Sequence, residues 1–347
     1  MIVRPVRQDD LPSLLELARS AGSGLTTLPA DLERLAHRVG WAEKTFAGAV
    51  ERADADYLFV MVDDDDQVLG ITGLAGAVGL REPWYNYRVG MTLSASPKLG
   101  IYRPIPTLFL VNDLCGLSEV CSLFLRADKR VSTNGKLLSK SRFLFLAEFA
   151  HLFSERIIAE MRGVSDEEGR SPFWEGLGRH FFKMPFAEAD YLTGIGNKAF
   201  IAELMPRFPL YTPLLPEASR AVIGKVHCHT EAALRLLQGE GFSHRGYVDI
   251  FDGGAVIECE TSQIRAVRDS QTLVLSVGTP DNGEDYLIFN RSLADCRITC
   301  APARLAAGSL VVSATTARRL KLDAGAQVRA VPLSVSSSHA HLREHLS

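Results

Sequence analysis

One stretch, EVCSLFLRADKRVSTNGKLLSKSRFLFLAEFA (Glu119 to Ala150), constrains the fold more than any other part of the chain. Its apolar run, Val120 to Leu125, has the length of a buried strand. A polar loop with Arg130, Asn134 and Gly135 follows, and then an amphipathic run that should be helical from Lys136 to about His151. Strand, basic glycine-containing turn and helix together offer backbone N–H groups and a helix dipole to a pyrophosphate. Lys129, Arg130 and Lys136 would add charge-assisted bonds. Such a unit belongs in an α/β chain.

The flanking sequence alternates in the same way. MIVRPV reads as a strand, and RQDDLPSLLELARSAG and LPADLERLAHRVGWAEKTFAG read as helices. DYLFVMVDDDDQVLGITGLAGAVGL reads as two strands joined by an acidic turn, Asp63 to Asp66. That turn lacks the alternating ligand spacing of a calcium loop. RIIAEMRG is a further strand, and SPFWEGLGRHFF a short helix capped by Ser171 with Pro172 at its first position. AVIGKV, HTEAALRLLQGEG and FSHRGYVDIF read as strand, helix and strand, which would make a second unit like the first. From residue 255 the runs become short, β-type and separated by Gly, Asp and Asn. The expected organisation is a main domain over 1–254, a barrel-like β subdomain over 255–334 and a loose tail over 335–347 containing His339 and His341.

Composition narrows the function. The chain has 347 residues, 46% hydrophobic and 23% charged, with a net charge of −3. This gives no basic footprint for nucleic acid. No apolar run approaches the roughly 20 residues of a membrane helix, and the start lacks a signal peptide's apolar core, so a cytoplasmic location is expected. Six scattered cysteines read as reduced thiols, and the pairs Cys115/Cys121 and Cys296/Cys300 lack the second half of a zinc site.

In VHCHTEAALRLLQGEGF, His227 and His229 stand two apart ahead of a helix that Thr230 could cap. His227 could be an acid–base group, a hydrogen-bonding loop residue or, with His229, half of a metal site; no third ligand is evident, and no metal is expected.

Glu119 to Phe149 resembles motif A of the GNAT acyl-CoA transferase superfamily, with Arg130-Val-Ser-Thr133-Asn-Gly135 standing for Q/R-x-x-G-x-G/A and threonine in place of the first glycine. TEAALRLLQGEGFSHRGYVDI resembles the later helix and strand of that superfamily. The blocks GLTTLPA, VGLREPWYNYRVG, TLFLVND, AEMRGVSDEEGRSPFWEGLGRHFF, GNKAFIAELMP and YVDIFDGG resemble the arginine N-succinyltransferase family. That resemblance implies a GNAT-like mixed sheet flanked by helices, and transfer of succinyl from succinyl-CoA to the α-amine of L-arginine. It leaves open an ornithine-preferring enzyme, or a non-catalytic acyl-CoA-binding subunit of a paralogous enzyme. It also implies a homo-oligomer or a hetero-oligomer with a paralogous subunit, and succinyl-CoA as co-substrate with no permanently bound cofactor.

The resemblance places the acyl-CoA contact on Leu123 and the family's proton donor, the histidine of V-H-P-x-T, on His227, with Cys228 replacing the proline. The backbone of Leu123 to Leu125 could polarise the thioester carbonyl, and Arg130, Asn134, Gly135 and Lys136 should face the CoA diphosphate. The succinyl carboxylate needs a cation, for which Arg88, Arg162, Arg170 and Lys198 are candidates by motif position. Glu160, Asp113, Asp249 and Asp252 are the corresponding partners for a guanidinium, and Trp84, Tyr85 and Trp174 could wall the pocket or pack the core.

Overall fold

The computed structural model describes residues 1–21, 28–131, 133–194 and 199–334. Lys198, His339 and His341 lie outside them. The chain opens with β1 (Ile2–Pro5), α1 (Leu11–Ala21) and α2 (Leu32–Phe46), then the strands β2 (Asp56–Val62) and β3 (Val68–Ala75). A long hairpin, β4 (Asn86–Ser96) and β5 (Ile101–Val111), precedes β6 (Ser118–Leu125), α3 (Asn134–Glu148) and β7 (Arg156–Glu160). A run of short helices follows: α4 (Pro172–Gly176), α5 (Gly178–Phe182), α6 (Phe186–Gly194), α7 (Ala199–Leu204) and, after the two-residue β8 (Leu210–Tyr211), α8 (Glu217–Val222). Then come α9 (Glu231–Gly239), β9 (Ser243–Asp249), β10 (Ala255–Glu260) and α10 (Arg265–Arg268). The chain ends with β11 (Gln271–Val277), β12 (Glu284–Phe289), β13 (Ile298–Ala306), β14 (Ser309–Val312), α11 (Ala314–Leu320) and β15 (Gln327–Pro332).

The strands run in the order β12-β15-β11-β14-β13-β1-β2-β3-β6-β7-β10-β9-β4-β5-β8, and β12 also pairs with β13. The extra pairing closes β11 to β15 into a small five-stranded barrel, joined to the main sheet where Val3 meets Ile298. No helix among the described residues is long and apolar enough to cross a membrane.

β2 reads as an unbroken apolar run because both faces of the sheet are covered. Its alternate residues Leu58, Val60 and Val62 pack in the core beneath α1 and α2, while Tyr57, Phe59 and Met61 pack against α3. The Asp63–Asp66 run is the turn between β2 and β3, with Asp63 Oδ1 accepting from the backbone N–H of Asp65 (3.1 Å) and Gln67 (3.0 Å).

Three expectations change. AVIGKV is not a strand: Val222 ends α8 and Gly224 takes a positive φ of 72°, so the second strand–turn–helix unit is absent. A β-branched run gave the strand signal, but Pro216 and Glu217 start a helix that carries its first residues. Secondly, the β-type segment from 255 divides. β10 pairs with β7 and β9 in the main sheet, and the barrel begins at β11. Strand periodicity does not say which sheet a strand joins. Thirdly, α3 begins at Asn134, ends at Glu148 and is not amphipathic, because Leu137, Leu138, Phe143, Leu144, Phe145 and Leu146 are buried around its whole circumference. The main sheet covers one side and the barrel the other, where Glu148 accepts from Arg291 (2.9 Å) and Arg329 (2.7 Å).

Candidate active site

β6 and β7 run parallel, but only Ser118 pairs with Ile157 and Glu119 with Ile158. Beyond Glu119 they diverge, and among the described residues Val120 to Leu125 have no strand partner on the β7 side. On its other side β6 carries a bulge: Cys121 faces Gly73 and Phe124 faces Ile71, so Ser122 and Leu123 together oppose Thr72. Ser122 takes a φ of 52°, a left-handed backbone that costs about 1–2 kcal/mol for a residue with a Cβ. Arg38 holds it: Nη2 donates to Ser122 Oγ (3.0 Å), while Nε and Nη2 grip Asp56 at 2.7 and 3.1 Å.

A cavity of about 780 Å³ fills the gap, lined by β6 from Glu119 to Leu123, by Ala159 to Arg162 at the end of β7, and by α9 residues Ala233 and Leu237. Its volume suits a small-molecule site. Trp84, Tyr85, Arg142, Asp249 and Asp252 are among the other residues of the wall.

The wall carries a carboxyl cluster. Glu160 Oε1 accepts from Trp84 Nε1 (3.0 Å) and Asn86 Nδ2 (2.8 Å). Burial pushes its pKa well above the ordinary range, and the charges of Asp249 and Glu119 push it further. Burial raises Asp249 too, although Oδ1 accepts from the N–H groups of Phe251 (2.7 Å) and Asp252 (2.9 Å). Asn86 Oδ1, beside them, is buried without a donor among the described residues. This is a concentration of acceptors looking for N–H groups. Asp252 does a different job: its two oxygens take the N–H groups of Gly163 (2.6 Å) and Gly254 (2.8 Å), tying β7's end to the β9–β10 turn. A Cβ at Gly163 would meet Asp252 Oδ1 at 2.5 Å, so glycine is required there.

The structure brings Leu123, Glu160, Arg162 and Asp249 together on the cavity wall. Leu125, Arg130, Asn134, Gly135 and Lys136 lie just beyond it, at the end of β6 and the start of α3. Arg130 Nε donates to Leu125 O (3.0 Å) and its guanidinium lies over Phe124. Asn134 Nδ2 donates to Lys129 O (3.1 Å), Lys136 is exposed, and a Cβ on Gly135 would touch nothing. No side chain caps the start of α3 among the described residues, and the Asn134 N–H donates to Val131 O (3.3 Å).

His227 is buried but does not line the cavity. Its N–H donates to Arg162 O (2.8 Å), and its Nδ1 accepts from the His229 N–H (3.1 Å). Burial lowers its pKa below 6.5, with Arg162 and His229 adding to the effect and a hydrogen bond to the Ser165 backbone opposing it. It is therefore neutral at pH 7. His229 is exposed, with its ring 4.8 Å from that of His227. Thr230 does not cap α9 with its side chain; its hydroxyl donates to His227 O (2.8 Å) because a 3₁₀ turn over Cys228–Thr230 intervenes. Among the described residues no group of three His, Cys, Asp or Glu side chains could hold a metal.

Four other candidates fall elsewhere. Arg88 is exposed over the Tyr247 ring, 3.9 Å from Asp113, whose Oδ2 accepts from Tyr247 (3.0 Å). Arg170 is exposed and paired with Asp166 (2.8 Å). Trp174 is core, donating Nε1 to Met184 O (3.0 Å).

The family model for "Arginine N-succinyltransferase beta subunit" matches residues 1–266, and that for its C-terminal domain matches 271–332. The chain belongs to the arginine N-succinyltransferase beta subunit family. Its curated relatives include the arginine N-succinyltransferase subunit beta of Pseudomonas aeruginosa, 70% identical over 96% of this chain and 98% of the relative. The arginine N-succinyltransferase of Yersinia pseudotuberculosis is 47% identical over the same shares. Among solved structures, arginine/ornithine succinyltransferase subunit AI from Pseudomonas aeruginosa superposes with a TM-score of 0.88 at 33% identity, covering 96% of this chain and 99% of that one.

Membership makes this an acyltransferase of the arginine N-succinyltransferase family, and the cavity holds residues that sequence reasoning passed over. Glu119, Arg38, Asp56 and Arg142 all line it. None of these had a local signal, because each sits in an ordinary polar pattern; Arg142 shares its helix with Lys136, Lys140 and Glu148.

Proposed function

We propose that this chain transfers the succinyl group of succinyl-CoA to the α-amine of L-arginine by direct attack in a ternary complex. The observation that carries this is the gap between β6 and β7, which exposes the bulged backbone at Leu123 to a cavity bearing both a carboxyl cluster and arginines. The CoA diphosphate lies against the turn from Arg130 to Lys136 and the uncapped start of α3. The pantetheine then runs back along β6, and the Leu123 N–H meets the thioester carbonyl as charge develops on its oxygen. Glu160 and Asp249 receive cationic nitrogen of the acceptor, and Arg162 its carboxylate.

An α-amine has a pKa near 8, so one neutral base nearby is sufficient to ready it. His227 is that base, and later returns the proton to the departing thiolate. Its low pKa keeps it unprotonated, and its backbone is joined to Arg162 on the wall. Succinyl-CoA is a co-substrate; no permanently bound cofactor enters the scheme.

The chain works in the cytoplasm as one subunit of an oligomer, with a second copy or a paralogous chain as partner. The β4–β5 hairpin supports this. Met91, Leu93 and Ala95 share one face with Tyr102, Pro104 and Pro106, and that face is wholly apolar. It continues the face whose inner end, Tyr87 and Leu108, is buried in the core, yet Met91 is 60% exposed and Tyr102 73%. Leu93→Asp should lower the mass measured by light scattering.

The direct test is thiol release from succinyl-CoA by the full chain. Release should require arginine and be slower with ornithine; no release with either amine would sink the reading.

A further inference from the structure

Among the described residues the buried arginines follow a rule with one exception. Arg4 is forked onto Asp10 (2.8 and 2.9 Å) and Arg265 onto Glu240 (3.0 and 2.9 Å), and the half-buried Arg38 is held the same way by Asp56. Arg142, 1% exposed in the middle of α3, has no such partner. Its Nε donates to Ser139 O (3.0 Å), Nη2 to Ser139 Oγ (3.2 Å) and Nη1, at a long 3.4 Å, to Cys121 O. None of these is an anion, and Arg142 forms no ion pair among the described residues. A guanidinium taken out of water without a directly paired anion is costly, and only the through-space charges of Cys121 and Glu119 favour its charged form. Burial pulls Arg142 down to about 10, which still leaves it charged at neutral pH.

Position gives this charge a use. Arg142 lines the same cavity as Leu123, and the carbonyl it touches belongs to Cys121, two residues earlier on β6. Two strand residues span about 6.6 Å. A donor that enters past Leu125 and presents its thioester at Leu123 points its acyl tail further along β6, toward Cys121. The succinyl carboxylate lies two methylenes beyond the thioester carbonyl, a span of about 4 Å at about 1.5 Å per bond. A charge-assisted bond of about 2.8 Å closes the remaining distance.

We propose that Arg142 binds the terminal carboxylate of the acyl donor and thereby selects succinyl-CoA over uncharged acyl-CoA of equal length. The carboxylate supplies the directly paired anion, and Ser139 and Cys121 hold the fork in place until it arrives. This rests on the donor placement proposed above.

Butyryl-CoA is the probe, because it matches succinyl-CoA in chain length and lacks only the carboxylate. With full-length protein and saturating arginine, Arg142→Gln should lower kcat/KM for succinyl-CoA about a hundredfold. It should change kcat/KM for butyryl-CoA by less than about threefold, the transition-state geometry at Leu123 being untouched. An equal fall with both donors would make Arg142 a strut for the bulge and overturn the proposal, as would no fall with either. A second readout needs no turnover. Succinyl-CoA should protect the wild-type chain from heat more than CoA does, and Arg142→Gln should abolish that difference while keeping the protection by CoA. If the wild-type chain is protected by CoA but transfers nothing, the transferase reading fails, and this difference still decides the role of Arg142. Should Arg142→Gln not fold, Arg142→Lys, which keeps the charge and loses the fork, is judged by the same donor ratio, and an unchanged ratio overturns the proposal.

Discussion

The gap between β6 and β7 and the C-terminal barrel are both made of short, largely apolar strands, yet one ladder stays open and the other closes. In the barrel β12 pairs with both β13 and β15, and the interior is Leu275, Ile288, Leu310, Val312, Leu320 and Val328. Its functional-looking charges point outward: Arg291 and Arg329 reach across to Glu148 on α3. In the gap the ladder ends after two residue pairs, a serine sits in a left-handed conformation, and carboxyl and guanidinium groups face an open cavity. A closed ladder satisfies its backbone and excludes ligand. An open one leaves backbone N–H groups and desolvated charge available, at a cost in stability that the rest of the fold must offset. The barrel contributes to that offset by bracing α3, as does the buried set in which Lys140 (2.9 Å) and Arg265 meet Glu240.

If this contrast is right, substitutions in the gap act on turnover and those in the barrel act on stability. The largest effect should come from His227→Gln, with kcat lowered about 10²–10⁴-fold and the melting temperature little changed. A fall below about tenfold removes His227 from proton transfer. The pH profile sharpens this. The His227 pKa is lowered, so the base stays unprotonated down to a pH below 6.5, and the acid limb of kcat/KM should lie below that value and vanish in the variant. The same shift bears on folding. The unfolded imidazole takes up a proton near 6.5 and the folded one resists it, so this contribution to stability is present above about pH 6.5 and is lost as the pH falls below it.

Next comes Glu160→Gln, expected to lower kcat/KM for arginine about a hundredfold, mainly through KM. It should also raise the melting temperature at pH 7, since it removes a carboxylate held against burial and its neighbours. The sign is opposite to that of His227. Glu160 takes its proton more readily when folded, so its cost appears as the pH rises above the ordinary 4.5 and disappears at lower pH, where the variant's advantage should shrink. A variant that lost stability at pH 7 would show Glu160 to be a structural member instead. In the barrel, Ile288→Val should cost about 0.5–1.5 kcal/mol in denaturant unfolding and leave both KM values alone. Smallest of all, Asp65→Asn in the exposed β2–β3 turn should stay within about 0.5 kcal/mol and leave activity intact.

Much of the architecture was readable because it is local. The β2–turn–β3 hairpin, the Ser171 cap and the strand–turn–helix from β6 into α3 each carry their signal within a dozen or so residues. Motif position points to Glu160, Arg162 and Asp249, and the structure sets all three on one wall. Arg88 and Arg170 carry equal weight as sequence, but the hairpin and a loop turn them to solvent. The AVIGKV segment misleads because β-branching reports a preference that a helix start upstream overrides.

The chain's order of residues determined its family, its alternation of helix and strand, the β2–β3 hairpin and the basic, glycine-containing turn ahead of α3, because each is written in neighbouring side chains. Only the tertiary structure decided where β6 leaves β7, that Ser122 bulges under Arg38, that β10 serves the main sheet rather than the barrel, and that Arg142 is buried beside the cavity without an anion. Those are contacts between segments far apart in the chain. They depend on register and on which groups lose water together, and no local pattern records either.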